Sequence, residues 1–191
     1  MFDDAAEAQL RELLTRKEVG SLGEIGLDYH YDLSPRDVQR DVFRRQIRIA
    51  KEFGLPICLH IREAHDEALE ILQTEGFPEA GTLLHCCSLS AEEIAPWIEA
   101  DCYIAYGGAL TFNNCEAARE GAKLVPLDRL LTETDAPYMA PVPLRGATCN
   151  PDMVLFTLDK LAEVRGMTSD RDRAQLQQQI AENANRLLNQ N

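Results

Sequence analysis

Short apolar segments alternate with amphipathic segments along most of the chain. The apolar, β-branched segments predict five strands, near residues 22–28, 55–61, 81–87, 102–110 and 129–137. The amphipathic segments predict helices near residues 4–17, 34–54, 62–76, 114–123, 151–165 and 169–189, with a further helix after the third strand. This alternation is typical of parallel βα units. We therefore predict a single α/β domain over residues 1–191, and the short, regular strand spacing favours a barrel over a doubly wound sheet.

The segment 34–54 carries the boundary signals of a helix. Ser34 is the expected N-cap, Pro35 the expected first helical residue and Gly54 the expected end. Pro96 lies a few residues into the helix after the third strand, and we expect it to break or kink that helix. Four apolar residues on one narrow face of the segment 34–54 predict its buried side: Val38, Val42, Ile49 and Phe53.

Composition and charge exclude several classes of protein. The chain has 191 residues, of which 45% are apolar and 27% charged, and no apolar run approaches the roughly 18 residues that span a bilayer. The N-terminal sequence MFDDAAEAQLRELL carries acidic residues where a signal peptide carries basic ones. We therefore predict a cytoplasmic protein with no membrane partner. The net charge of −13 disfavours nucleic-acid binding by counterion release alone, but leaves open a nucleic-acid substrate held at bound metal ions.

The six cysteines fit the same compartment. No C-x-x-C pair suggests zinc or redox chemistry, and several cysteines lie in predicted strands. We interpret them as buried thiols that act as small hydrophobic residues rather than as a disulfide framework. They are Cys58, Cys86, Cys87, Cys102, Cys115 and Cys149.

Four predicted strands each carry one side chain that can bind a metal. Glu24 lies early in the first strand, while His60, His85 and Asp135 end the second, third and fifth strands. The carboxyl ends of parallel strands form the sites of α/β folds, and these donors suit Zn²⁺, Mn²⁺ or Mg²⁺. A carboxylate in a buried strand is costly unless it is paired or bound to a metal, so we expect Glu24 to point inward at depth.

Each of these residues also has a simpler interpretation. His60 and His85 would both fit as core histidines that bond to a backbone carbonyl, and Asp135 as a turn former before Pro137. His30, His65, Arg62, Tyr29 and Tyr31 lie in the adjoining loops and first helical turns. The two histidines there are expected at the solvated surface, whereas Arg62 faces either an anion or a neighbouring glutamate, and the tyrosines either stack on a base or pack under a loop.

Six motifs follow one another along nearly the whole chain. They are GEIGLDY (23–29), QRDVFRRQIRIAKEFGLPICLHIREA (39–64), LLHCCS (83–88), YIAYGGALTF (103–112), PLDRLLTETDAPYMAPVPLRG (126–146) and ENANRLL (182–188). Together they resemble the TatD family of metal-dependent hydrolases, whose characterised members are mostly DNases. The resemblance implies a TIM-type barrel with a divalent metal centre at the strand ends.

The resemblance also implies roles for individual residues. Glu24 would be the carboxylate shared between two ions, His60 and His85 would bind one ion, and Asp135 would bind the other. The ions, one or two of Mg²⁺, Mn²⁺ or Zn²⁺, would activate water, and Asp135 would accept its proton, which makes Asp135 and Glu24 the implied catalytic pair. DNA, as single strands or ends, would be the substrate.

Residues around the implied centre are the expected substrate contacts. Arg62, Tyr29 and Arg145 are candidates, and Arg145 lies in the run RGATCNP. The family has a basic run RGKRNEP here, and Ala147 and Thr148 replace two of its cations. Weaker phosphate contacts are therefore expected at this position.

One departure from the family pattern is larger. The chain has no H-x-H pair, which the family carries on its first strand, and Met1 falls in the helix before the family's fourth strand. The resemblance thus implies about five of eight strands, an incomplete barrel, and weak or absent activity for this chain alone.

Two further hypotheses follow from these departures. In one, the chain is a non-catalytic remnant or a partner-dependent subunit, and a homo-oligomer forms through the open sheet edge. In the other, the metal centre hydrolyses an ester such as that of a D-aminoacyl-tRNA, and the replaced cations beside Arg145 are the support.

Overall fold

The computed structural model describes residues 2–188. Within them the helices are α1 (Asp4–Leu14), α2 (Arg36–Phe53), α3 (His65–Glu75), α4 (Ala91–Glu99), α5 (Glu116–Leu124), α6 (Val154–Val164) and α7 (Asp170–Leu188). The strands are β1 (Leu22–Asp28), β2 (Ile57–Arg62), β3 (Thr82–Leu84), β4 (Tyr103–Tyr106) and β5 (Leu130–Thr132). All predicted elements are present, and residue 189 of the last predicted helix lies outside the described residues.

The order of the strands in the sheet follows the order of the chain, β1-β2-β3-β4-β5. β1 pairs with β2, and β4 with β5, in parallel. A doubly wound sheet would reverse its order at a switch point, whereas sequential order is the arrangement of a barrel. The preference for a barrel-type sheet over a doubly wound one is confirmed.

The described chain divides into two compact units. The first unit comprises residues 2–83 with 187–188, and the second unit comprises residues 84–186. The sequence-based prediction of one domain over residues 1–191 stays a prediction. None of the helices within residues 2–188 combines the length and the apolar character needed to cross a membrane.

In the first unit, α2 packs against both β1 and α3. Its buried side chains are Phe43, Ile47, Ile49 and Ala50, whereas Val38 is exposed. Of the predicted narrow face, Ile49 is buried, Val42 and Phe53 are partly buried, and the prediction is wrong at Val38. Contact with two elements makes the buried surface wider than a single stripe, and the bulky Phe43 sets its centre.

The start of α2 also differs from the prediction, while its end does not. Pro35 occupies the N-cap position with φ −51° and ψ 138°, so Ser34 lies outside the helix. The Ser34 carbonyl instead accepts a hydrogen bond from Gln39 Nε2 (2.9 Å). Gly54 ends the helix in the left-handed conformation (φ 64°), as predicted.

In the second unit, the strands are shorter than predicted. β4 ends at Tyr106 and a 3₁₀ turn follows over Gly108–Thr111, while β5 ends at Thr132. Asn183 of α7 is fully buried, and its Nδ2 donates to the carbonyl oxygens of Leu127 (2.7 Å) and Leu130 (2.9 Å). This side chain therefore ties α7 to the start of β5.

Pro96 does not break α4, which continues to Glu99. Proline removes the amide that would bond to the carbonyl of Glu92, one turn earlier. Pro96 and Glu92 are both exposed, so water can satisfy that carbonyl. Of the two expected effects, the break was wrong because the lost hydrogen bond lies on the solvent side of the helix, and the kink stays a prediction.

All six cysteines are free thiols in the structure. Cys87, Cys102 and Cys149 are buried, while Cys58, Cys86 and Cys115 are partly exposed. Burial raises the pKa of both Cys87 and Cys102 to about 12. The interpretation as buried hydrophobic thiols is therefore confirmed for three of the six.

Candidate metal centre

One face of β1 carries two carboxylates. The side chains of Ile25 and Leu27 are buried, so the alternating positions Glu24, Gly26 and Asp28 share the opposite face. The register with β2 shifts between Leu22 and Ile25, where β1 contains one additional residue. From Ile25 onwards the ladder is regular, and the face with the two carboxylates is maintained to the end of the strand.

His60 lies on β2 between these two carboxylates, because it pairs with Gly26 in the ladder. Its Nε2 atom is 3.1 Å from Asp28 Oδ2, and its Nδ1 atom is 3.7 Å from Glu24 Oε2. The hydrogen bond to Asp28 assigns the imidazole proton to Nε2 and leaves the lone pair of Nδ1 on the side of Glu24.

The separation of Nδ1 and Oε2 fits two ligands of one ion. A tetrahedral ion with bonds of about 2.0–2.2 Å holds its ligand atoms roughly 3.3–3.6 Å apart. An imidazole nitrogen, a carboxylate oxygen and a second carboxylate that fixes the tautomer are the usual parts of a protein site for a divalent metal. Glu24, Asp28, Tyr31, Gln39 and His60 line a pocket of about 400 Å³ at this point of the first unit.

Asp28 is held in its ionised form by its neighbours. Partial burial works against the charge, but hydrogen bonds from the Tyr31 amide, His60 and the His30 amide together lower the pKa of Asp28. The amides of His30 and Tyr31 both donate to Oδ1, at 3.0 and 2.9 Å. Oδ1 thus anchors the loop after β1, while Oδ2 orients His60.

Replacing Asp28 by Asn is therefore expected to weaken metal binding without removing a metal ligand. Loss of a carboxylate that hydrogen-bonds to a metal-binding histidine typically lowers metal affinity by about 10- to 100-fold, and we expect a loss in that range. Titration of the protein with Mn²⁺ in a calorimeter measures it. Asp41→Asn, on the exposed side of α2, is the matched control, and an equal loss in both variants would contradict the role of Asp28.

Glu24 does not lie at depth, contrary to expectation. Its side chain is 52% exposed, and that of His60 is 39% exposed. β1 is the first strand in the order of the sheet, so its second edge has no strand beside it within residues 2–188. The inference that Glu24 is buried was wrong because the sequence pattern of a buried strand does not reveal whether the strand lies at an edge.

In the second unit, a carboxylate likewise orients the other candidate histidine. β3 ends at Leu84, so His85 is the first residue beyond the strand. His85 Nδ1 is 3.0 Å from Glu133 Oε2, and Glu133 Oε1 accepts a hydrogen bond from the Cys86 amide (2.7 Å). This arrangement assigns the proton of His85 to Nδ1 and leaves Nε2 as the metal-binding nitrogen.

Asp135 lies three residues beyond β5 and is partly exposed. Its φ of 56° places it in the left-handed region, which non-glycine residues adopt rarely and which aspartate tolerates better than most. Its carbonyl accepts a hydrogen bond from the Tyr138 amide (2.8 Å). The backbone of Asp135 therefore forms a turn, as the alternative interpretation predicted. Its role as a metal ligand stays a prediction.

Three of the candidate substrate-contact and rim residues, Arg62, Tyr31 and Tyr29, form stacked pairs in the first unit. The Arg62 guanidinium lies 4.8 Å from the centre of the Tyr31 ring, and that of Arg36 lies 4.1 Å from the centre of the Tyr29 ring. The Tyr29 hydroxyl donates to Glu67 (2.5 Å), and burial together with this bond raises the pKa of Tyr29. Tyr29 is therefore engaged within the protein, whereas Tyr31 is 62% exposed.

The remaining candidates lie at the surface. His30 is exposed, and its Nδ1 atom is 2.7 Å from Glu63 Oε1. His65 is the first residue of α3 and is partly exposed. In the second unit, Arg145 is exposed and its guanidinium lies 3.7 Å from the centre of the Phe112 ring. The substrate contacts of Arg62, Tyr29 and Arg145 stay predictions.

Sequence reasoning overlooked Asp28 and Glu133 as functional residues. Both occur in the quoted motifs, Asp28 in GEIGLDY and Glu133 in TETD. Asp28 could have been found from strand periodicity, because it follows Glu24 by four residues and therefore shares its face. The same rule applies to Glu133, which precedes Asp135 by two residues in the predicted strand 129–137, although its contact with His85, 48 positions away, could not be predicted.

Comparison with known proteins identifies the family. The family model described as TatD related DNase matches residues 2–189. The uncharacterised metal-dependent hydrolase YabD of Bacillus subtilis is 40% identical over 181 residues, which cover 95% of this chain and 69% of YabD. YcfH of Escherichia coli K12, also an uncharacterised metal-dependent hydrolase, is 39% identical over 158 residues, which cover 83% of this chain and 60% of YcfH.

A solved structure supports the same assignment. The TatD homologue YjjV of Escherichia coli K12 is 28% identical and superposes with a TM-score of 0.89 over 98% of this chain and 71% of that one. The chain thus spans about 60–70% of the length of the proteins it matches. The predicted α/β fold of TIM-barrel type, with five strands of an incomplete barrel, is confirmed. The chain belongs to the TatD family of metal-dependent hydrolases.

Proposed function

We propose that the protein is a divalent-metal-dependent phosphodiesterase that hydrolyses DNA, at single strands or ends. The observation that carries the proposal is the placement of His60, whose two nitrogen atoms lie 3.7 Å from Glu24 and 3.1 Å from Asp28. One side of the imidazole is thereby fixed and the other is offered to an ion together with a carboxylate. Membership of the metal-dependent hydrolases supports the same chemistry.

Each unit supplies proposed metal ligands. They are Glu24 and His60 in the first unit, and His85 and Asp135 in the second. A divalent ion held by ligands of this kind would lower the pKa of water and neutralise charge on the phosphoryl oxygens. Glu24 contributes a carboxylate, the two histidines contribute Nδ1 and Nε2 respectively, and Asp135 accepts the proton released by the attacking water.

Neighbouring residues prepare these groups for their roles. Asp28 and Glu133 each bind one imidazole nitrogen, so each histidine has a fixed ring orientation before any ion binds. Preformed ligands lose little conformational freedom on binding, which raises affinity.

The proposed DNA contacts use side chains at the rim of the first unit and in the second. Arg62 and the exposed Tyr31 form a stacked pair, which offers a cation for phosphate and a ring face for an unpaired base. Arg145 offers a second cation. Because Tyr29 is bound to Glu67, its part is to support the loop after β1 rather than to stack on a base.

The test compares substrates and metals. The protein is incubated with end-labelled single-stranded DNA and with a D-aminoacyl-tRNA, with Mg²⁺, Mn²⁺ or Zn²⁺, and with a chelator as control. Slow shortening of DNA that the chelator abolishes is the expected result, because weak activity is expected of this chain alone. Cleavage of the aminoacyl ester alone would replace the proposed substrate, and intact substrates in the presence of calorimetrically bound metal would favour the partner-dependent subunit.

A further inference from the structure

A second group of metal-binding side chains lies in the second unit, just beyond β3. His85, Cys86 and Glu133 each offer one ligand atom, and these atoms all lie within 4.8 Å of one another. The side chains of His85 and Glu133 are only 9% and 20% exposed. This is therefore a partly enclosed set of one nitrogen, one sulfur and one oxygen donor rather than a cluster of surface acids.

The three residues are held in place by one another. Glu133 uses one carboxylate oxygen for the Cys86 amide (2.7 Å) and the other for His85 Nδ1 (3.0 Å). Cys86 itself has a φ of 50°, in the left-handed region that a cysteine rarely adopts. The backbone amide bond to Glu133 thus secures a conformation that brings the thiol to the carboxylate and the imidazole.

The neighbouring Gly107 leaves space beside two of the donors. A Cβ atom at this position would lie 3.5 Å from Glu133 Oε1 and 4.0 Å from Cys86 Sγ. Any larger residue would therefore occupy the volume next to the sulfur and the carboxylate. The absence of a side chain at Gly107 gives a small ion room to approach both.

We propose that His85, Cys86 and Glu133 form a site for a thiophilic divalent ion such as Zn²⁺, with Cd²⁺ as its analogue. The ion takes the place of the proton on His85 Nδ1, and the Cys86 thiol binds as its thiolate. Both protons pass to solvent and no group changes its oxidation state. Mg²⁺, which requires oxygen ligands, does not bind a site with a sulfur donor.

The distances are compatible with such an ion. His85 Nδ1 and Glu133 Oε2 are 3.0 Å apart, whereas two ligand atoms of a tetrahedral zinc ion lie roughly 3.3–3.7 Å apart. The largest separation in the group, up to 4.8 Å, needs to shorten by about 1 Å. Rotation of a cysteine side chain between its rotamers moves the sulfur by more than that.

Occupation of this site would affect the reaction. His85 would be drawn toward Cys86 and Glu133, away from the ion bound through its Nε2 atom. Thiophilic ions would thus inhibit an enzyme that works with Mg²⁺ or Mn²⁺. Only this consequence depends on the proposed function, because binding of the ion to Cys86 can be measured whether or not the protein hydrolyses DNA.

The experiment is a titration of the protein with Cd²⁺, followed by the ultraviolet sulfur-to-cadmium charge-transfer band. Wild type is expected to reach saturation at one equivalent, and Cys86→Ser is expected to lose the band and at least about 100-fold in affinity. Cys115→Ser and Cys58→Ser remove the other two partly exposed thiols and are expected to keep the band. A band that persists in Cys86→Ser, or that disappears in either control, would overturn the proposal.

A measurement on the wild-type protein makes the result independent of how the variants fold. The cadmium NMR shift distinguishes a site with one thiolate from a site built only of oxygen and nitrogen. One bound thiolate is the expected result, and an ion with no sulfur ligand would refute the site. Both readouts report binding alone, so they stand even if the proposed hydrolysis of DNA is not observed.

Discussion

Glu24→Gln is expected to raise the dissociation constant for Mn²⁺ by at least about 100-fold and to lower metal-dependent hydrolysis by about 1,000-fold, or about 4 kcal/mol. The reason is that Glu24 Oε2 lies 3.7 Å from His60 Nδ1, as two ligands of one ion would. The amide keeps the shape of the side chain but removes its charge. Calorimetric titration and hydrolysis of end-labelled single-stranded DNA measure the two effects.

The control for this variant is Glu52→Gln. Glu52 belongs to the same unit, is 60% exposed and pairs with Arg11 Nη1 at 2.7 Å. It loses the same charge from the protein, so any general effect of net charge on metal or DNA binding appears in both variants. Equal behaviour of the two would show that Glu24 has no special part in the centre.

Gly26→Ala is expected to destabilise the protein by at least about 3 kcal/mol. A Cβ atom at Gly26 would lie 2.1 Å from the carbonyl oxygen of His60, and the φ of 147° is one that residues with a side chain rarely adopt. Because the obstacle is the backbone of the paired strand, β1 and β2 would have to separate. Urea unfolding measures the loss, and the melting temperature should fall by roughly 6–12 °C.

Gly54→Ala separates the two causes of that loss. Gly54 also has a positive φ, 64°, but nothing lies within 4 Å of its potential Cβ atom. Only the unfavourable backbone conformation remains there, which costs about 1 kcal/mol. If Gly26→Ala cost no more than Gly54→Ala, the close approach of the two strands at Gly26 would be disproved.

Local patterns were sufficient to predict most elements of the fold. The apolar segments located every strand, and β1 has the predicted bounds. Gly54 and Gly76 follow the last residues of α2 and α3, as their freedom at positive φ leads one to expect. These features depend on residues close in sequence, which is why they are visible without a structure.

Features set by tertiary contacts were not predictable. Val38 is exposed and Phe43 is buried because α2 contacts both β1 and α3. The sequence of α2 alone does not indicate which elements it contacts. Glu24 is exposed because of the place of β1 in the sheet. In both cases the sequence pattern predicted the type of element correctly. Which of its side chains are buried depends on the neighbouring elements, which the pattern does not reveal.

The same division applies to the candidate centre. The resemblance to the TatD family selected His60 and His85 from four histidines, and both prove to be oriented by carboxylates. Strand periodicity could have placed Asp28 on the face of Glu24, but it could not pair either carboxylate with its histidine. Those contacts join residues 32 and 48 positions apart, a range over which helix and strand periodicity carries no information.

The additional residue of β1 between Leu22 and Ile25 allows both of these side chains to be buried in one short strand. Leu22 and Ile25 are both buried although three positions separate them, whereas regular alternation would place them on opposite faces. Deletion of Gly23 would therefore restore regular alternation, with Leu22 and Ile25 on the buried face and Glu24 between them on the opposite face. Natural variants of this strand should keep glycine at position 23, because a Cβ atom there would lie 2.5 Å from Cys58 Cβ.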